Sequence, residues 1–182
     1  MRLKPTGSAP RFSLTDIHGN RITVPMAGRR VMLSFYRYAS CPFCNLRIHE
    51  LGKQAETYRA LGLELIAVFQ SPTEKIVHYA GRQNSPFPII ADPERRLYKL
   101  YGLESSWWGM LVAFLRRPGE IARAIAKGFL PGSMEGEMHR LPADFIIDEE
   151  GIMLGCYYGR DIGDHLPLQN IEDYLAQAND MR

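Results

Sequence analysis

The run Val31-Met32-Leu33-Ser34-Phe35-Tyr36, followed closely by Cys41-Pro42-Phe43-Cys44, constrains this chain more than any other stretch. A nearly continuous apolar run suits a strand covered on both faces, as in a parallel sheet. Pro42 suits the first position of a helix, where its missing N–H would have had no partner. Cys41 is then the predicted N-cap, placed to accept hydrogen bonds from the N–H groups of Phe43 and Cys44 at the positive end of the helix dipole. Both effects favour thiolate over thiol, and such settings bring a cysteine from about 8.5 into a range of roughly 3.5–7.5. Further along, Cys44, Ile48, Leu51, Ala55 and Tyr58 recur at spacings of four and three, which puts them on one helix face. The pattern predicts Cys44 at the head of the inward stripe and Cys41 at an exposed tip, one sulfur to attack and one waiting behind it.

Composition narrows the function classes. With 182 residues and 46% hydrophobic content, the chain can bury a substantial core as one domain over 1–182. A net charge of +2 without long charge runs argues against a nucleic-acid partner or a membrane surface. No apolar segment is long enough to span a bilayer. Residues 1–10 carry Arg2 and Lys4 but no apolar core of a secretory signal, so the expected location is the cytoplasm. Three cysteines, two of them in a CxxC, do not make a structural disulfide framework. In a reducing compartment such a pair is more often catalytic or metal-binding.

The flanking segments read as an α/β chain. Phe12–Thr15 and Arg21–Val24 around an Asp16–Asn20 turn predict an N-terminal β-hairpin. Gly62 ends the CPFC helix, and Leu63–Phe69 is a second buried strand. Ser71-Pro72-Thr73-Glu74 predicts a helix start, with Ser71 as N-cap and Glu74 completing a capping box; that helix runs to about Gln83. Phe87–Ala91 is a short strand, and Asp92-Pro93 precedes a helix bearing Leu97, Leu100 and Tyr101. Residues about 103–141 form an insert in which Trp107–Phe129 predicts two short helices, with a packed accessory layer as the default, before a Gly-rich loop from Pro131 to Gly136. A closing hairpin, Asp144–Ile147 with Ile152–Tyr158, leads to a last helix presenting Leu168, Ile171, Leu175 and Ala178. This order predicts a mixed central sheet flanked by helices.

These residues resemble a known family. Gly7, Ala9, Pro10, Phe12, Leu14, Asp16 and Gly19 resemble the start of the AhpC/TSA (peroxiredoxin) group of thioredoxin-fold proteins. The strand ending in Cys41-Pro42-Phe43-Cys44 and the Asp144–Gly151 hairpin match the same framework. Tyr36-Arg37-Tyr38 ahead of CPFC is similar to a peroxiredoxin-like subgroup. The resemblance implies a thioredoxin-like fold and a Cys41–Cys44 dithiol/disulfide cycle with no cofactor and no metal. Peroxide or a protein disulfide would be the substrate, and thioredoxin or a glutathione-type reductant would close the cycle; a homodimer is compatible with the group. Typical members carry a Pro seven residues before the reactive cysteine and a Thr or Ser three before it, where this chain has Ser34 and Tyr38. Their arginine before the hairpin strand has no aligned counterpart, Arg140 lying a few residues early. Pro142 instead resembles the cis proline that faces the CxxC in thioredoxins.

Around Cys41 and Cys44 the supporting candidates are therefore Arg37, Tyr38, Pro42, Pro142 and Arg160. Arg37, four residues before Cys41, is placed either to stabilise a thiolate or to end a strand in solvent. Arg160 and Asp161 follow the last strand, in a charged loop. Cys156 alternates with Leu154 and Tyr158, the pattern of a buried strand residue, and His49 reads as a surface residue. Other readings of the CxxC stay open: a zinc site, which needs four ligands and therefore Cys156 and a histidine; a redox sensor that does not turn over; or a thioredoxin-like disulfide reductase without peroxidase activity.

Overall fold

The computed structural model describes residues 2–180, with the side chains from 177 onward, Ala178 among them, outside the described residues. Seven strands and six helices follow in the order β1 (Phe12–Thr15), β2 (Arg21–Val24), β3 (Arg30–Phe35), α1 (Pro42–Ala60), β4 (Leu63–Phe69), α2 (Thr73–His78), β5 (Ile89–Ala91), α3 (Arg96–Leu100), α4 (Trp107–Arg116), α5 (Pro118–Ala126), β6 (Ala143–Ile147), β7 (Met153–Tyr158) and α6 (Leu168–Asp180). β1 and β2 form a separate antiparallel hairpin, and the other five strands make one sheet in the order β5-β4-β3-β6-β7. β3, β4 and β5 run parallel while β6 and β7 run antiparallel to their neighbours. This is the expected mixed α/β sheet, with β3 at its centre.

Every residue of β3 is buried, because its alternating side chains enter two different cores. Val31, Leu33 and Phe35 pack with Tyr98 of α3, with Tyr101 just after it and with Val24 of the hairpin. Met32 and Tyr36 pack on the other side with Cys44, Ile48, Leu51 and Tyr58 of α1 and Ile171 and Leu175 of α6. Both cysteines of the CxxC belong to this second core.

Several local expectations are corrected. The segment after β4 starts its helix at Thr73 with no side-chain cap; Ser71 turns its hydroxyl elsewhere, as described below. Asp92 does satisfy helix N–H groups, those of Arg96 and Leu97 at 2.9 and 2.8 Å, but across an Arg95 in the left-handed region. Leu154 is an extra residue in β7, since Gly155 pairs with Ile146 and Met153 with Ile147. This bulge puts Leu154 on the α1 face and Cys156 and Tyr158 on the other, so the three do not share a face. The two insert helices exist, yet the packed layer is thin. α4 touches the core through small residues, Gly109 and Ala113, and that contact turns Trp107, Trp108, Leu111, Phe114 and Leu115 outward. Among the described residues no helix is long and apolar enough to cross a membrane.

Candidate active site around Cys41

β3 ends at Phe35, and the chain crosses to α1 through residues 36–41. This crossing is held from several sides. Tyr98 donates its hydroxyl to the Tyr36 carbonyl at 2.6 Å, and the Gln70 N–H reaches the Arg37 carbonyl at 3.2 Å. The Ala39 N–H donates to the Ser71 hydroxyl at 2.8 Å, and Asn45 Nδ2 donates to the carbonyls of Ala39 and Cys41 at 2.7 and 3.0 Å. Buried backbone groups left without partners are costly, so this loop's polar atoms are met by Gln70 and Ser71 just after β4, Asn45 of α1 and Tyr98 of α3. Cys41 emerges in an extended conformation as the N-cap of α1, with Pro42 next, as the sequence predicts.

Two donors converge on the Cys41 sulfur: the Cys44 N–H at 3.3 Å and the Arg37 guanidinium, through Nη2, at 3.0 Å. The predicted contribution from the Phe43 N–H is not formed. Burial alone would push the Cys41 thiol up. Hydrogen bonding from Cys44, the Arg37 charge and the Cys44 N–H outweigh it and bring Cys41 down to about 6. Cys44 moves the other way, held well above the ordinary thiol range by burial and by its anionic neighbour. The pair is thus one thiolate and one thiol at neutral pH. The Arg37 guanidinium carbon lies over the Tyr38 ring, 5.0 Å from its centre. Burial and the Cys41 charge push the Tyr38 phenol up to about 12.

The structure corrects one central expectation, because Cys41 is not at an exposed tip. Cys41 has 0% and Cys44 1% of its surface accessible, and Arg37 3%. The cover comes from the insert. Residues 131–139, which have no helix or strand, cross the site as a strap. Arg37 Nη1 donates to the Met138 carbonyl at 2.6 Å, and the Ser40 hydroxyl to the Ser133 carbonyl at 2.6 Å. The Ser71 hydroxyl donates to Glu135 at 2.8 Å, and Gln70 Nε2 to the Glu137 carbonyl at 2.8 Å.

Of the other predicted residues, Pro142 and Arg160 are not drawn in. The cis X–Pro bond among the described residues is Val24–Pro25. Leu141–Pro142 is therefore trans; Pro142 leads into β6 and its carbonyl accepts from the Gly159 N–H at 2.9 Å, the place of a proline at the start of a strand. Arg160 is exposed, its N–H bound to Asp164 at 2.9 Å, and the charges acting most on the two sulfurs are Arg37's and each other's. Asp161 pairs with Arg117 at 2.9 Å. Cys156 sits across the sheet from the CxxC, its thiol pushed up to about 11 by burial, so it cannot complete a zinc site with Cys41 and Cys44. His49 lies against Phe129 on the helix surface. The sequence reading missed Asn45, Gln70, Ser71 as a loop anchor, and the whole strap. An asparagine one turn inside a helix is a poor helix former, which is the one local hint of Asn45's role.

The fold and the site define a thioredoxin-like protein with a capped, arginine-paired cysteine thiolate and a second thiol one helical turn behind it. The AhpC/TSA family model matches residues 5–154, and the chain belongs to that family. The peroxiredoxin-named protein Rv2521 of Mycobacterium tuberculosis is 30% identical over 102 residues, 56% of this chain and 65% of that protein, so the match spans less than two thirds of its length. Peroxiredoxin Bcp of Escherichia coli K12 is 24% identical over 150 residues, 82% of this chain and 81% of the relative. The crystal structure of peroxidoxin BcpB from Mycobacterium tuberculosis superposes with a TM-score of 0.69 at 16% identity, covering 100% of this chain and 99% of that one.

Proposed function

We propose that the protein is a thiol-dependent peroxidase in which Cys41 is the reacting sulfur and Cys44 the resolving one. The observation that carries this reading is the Cys41 sulfur held as an anion by Arg37 at 3.0 Å and the Cys44 N–H at 3.3 Å. The thiolate attacks one peroxide oxygen: an S–O bond forms, the O–O bond breaks, and the alkoxide or hydroxide leaves and takes up a proton. Cys44 then loses its proton and attacks the Cys41 sulfenic sulfur; an S–S bond forms and water leaves. The two sulfurs give up two electrons, and the peroxide becomes an alcohol or water plus one further water. A thioredoxin-type dithiol restores the pair by exchange through a mixed disulfide. Arg37 stabilises the anion in a chain where Ser34 and Tyr38 stand at the positions that the resemblance gives to a Pro and a Thr or Ser. Full burial of Cys41 supports peroxide over a protein disulfide as the oxidant, since a small molecule needs a far smaller opening of the cover than a folded protein does.

The test mixes reduced protein with one equivalent of hydrogen peroxide and follows thiol count and intact mass. The expected result is loss of both CxxC thiols and of two hydrogens within seconds, with Cys44→Ser stopping at the gain of one oxygen. Oxidation no faster than that of a free thiol would overturn the reading.

A further inference from the structure

Arg37 touches two things that the catalytic cycle treats differently. Its Nη2 donates to the Cys41 sulfur at 3.0 Å and its Nη1 to the strap carbonyl of Met138 at 2.6 Å. Among the described residues Arg37 forms no ion pair with a carboxylate. Glu137 is taken by Arg95 and Arg140, and Glu135 accepts from Ser71 through Oε2, its Oε1 being buried without a hydrogen-bond partner. Arg37 Nε is buried without a hydrogen-bond partner. The thiolate is therefore the counter-charge of a cation that is 3% exposed.

We propose, resting on the peroxidase reading above, that Arg37 couples the charge of Cys41 to the strap. The closed strap of residues 131–139 then belongs to the thiolate state, and the Cys41–Cys44 disulfide releases it. When the thiolate and the Cys44 thiol pass two electrons to the peroxide, the negative charge leaves the site as hydroxide and both sulfurs become neutral. Arg37 is then a buried cation facing a weak acceptor, and an uncompensated buried charge is strongly destabilising. Lifting the strap returns the guanidinium to water, and the same movement uncovers the disulfide for a protein-sized dithiol.

The strap is built to come away. It is held by hydrogen bonds and by the Glu137 ion pairs at its C-terminal end, while Met134 and Met138 turn their side chains to solvent. Gly136, at φ +71°, lies so close that a Cβ there would come within 2.7 Å of the Gln70 side chain, and a Cβ on Gly132 would collide with the Tyr79 hydroxyl. Two glycines let the strap lie flat without locking it in place. Closed, it covers the anion completely; open, it admits the reductant.

Amide hydrogen exchange of residues 131–139, measured by mass spectrometry on the full chain, tests this. Reduced protein is compared with protein oxidised by one equivalent of hydrogen peroxide, the disulfide being checked by mass. The strap should exchange about tenfold faster or more in the oxidised protein, as expected of a local opening. Cys41→Ser should show the fast exchange without any disulfide, and Arg37→Met should exchange fast in both redox states. Cys41→Ser, which changes one atom, carries the test if Arg37→Met does not fold. Equal strap exchange in the two states of the wild-type chain, with the disulfide present, would overturn the coupling and leave the peroxidase reading standing. A redox difference undiminished in Arg37→Met would also overturn it. Failure to form the disulfide would instead sink the peroxidase reading, and the coupling with it.

Discussion

Cys44 and Arg37 together decide the chemistry of Cys41, because the anion has to overcome full burial of the sulfur. Burial favours the neutral thiol, and an opposite charge within a few ångströms lowers an acid by about 1–3 pH units. With hydrogen bonding from Cys44 and the Arg37 charge at 3.0 Å through Nη2, the anion wins and Cys41 is brought down to about 6. The ultraviolet absorbance of the thiolate, taken as wild type minus Cys41→Ser, should therefore rise with a midpoint near about 6. In Arg37→Met that midpoint should move up by about 1–3 units; an unmoved midpoint would mean that the arginine does not hold the charge. Cys44 remains a thiol over the same range, so Cys44→Ser should leave a species that persists as a sulfenic acid or as a mixed disulfide with added dithiol. Trapping of that species, read by mass, checks the division of roles. Arg37 was visible in the sequence as a candidate, four residues ahead of Cys41. Its direction was not, because that depends on Met138, a hundred residues away.

At the scale of elements, β3 and α1 were legible because their signals are local: an apolar run, a Pro at the first helical position and a stripe at helical spacing. The cover over the site was not legible. Pro131–Gly136 reads as an ordinary Gly-rich loop, and nothing in it says where it will lie. Ser71 shows the same limit. Its sequence setting spells a capping box, yet tertiary contacts claim the hydroxyl for the Ala39 N–H and Glu135. The Leu154 bulge inverted a facing that strict alternation predicts. The anchors of the crossing loop carry a measurable prediction. Asn45→Ala leaves the buried Ala39 and Cys41 carbonyls without their side-chain donor, which should cost about 1–3 kcal/mol in denaturant unfolding. It should also slow Cys41 oxidation, because the loop that places the sulfur loosens. A loss below about 0.5 kcal/mol would show that the loop is held by its other bonds. By contrast, Trp108→Ser on the outer face of α4 should change stability by no more than about 0.5 kcal/mol.

For the whole molecule, two cores on either side of one sheet separate the redox pair from the third cysteine, and an insert between β5 and β6 closes over the pair. The stability of the reduced protein inherits the state of Cys41. Its folded-state titration lies below the ordinary thiol range, so the anion's contribution is fully present above about pH 8.5. It is lost as pH falls through about 6. Denaturant unfolding of reduced wild type should thus weaken toward acid more than that of Cys41→Ser, and a difference between the two that does not change with pH would contradict this. The most direct test of the account is the single-turnover rate of reduced protein with limiting hydrogen peroxide, followed across pH. With Cys41 as the reacting anion, the rate should rise with a midpoint of about 6, reach a plateau by neutral pH, end in the Cys41–Cys44 disulfide and vanish in Cys41→Ser. A rate that climbs only through the ordinary thiol range near about 8.5, or that survives in Cys41→Ser, would contradict it.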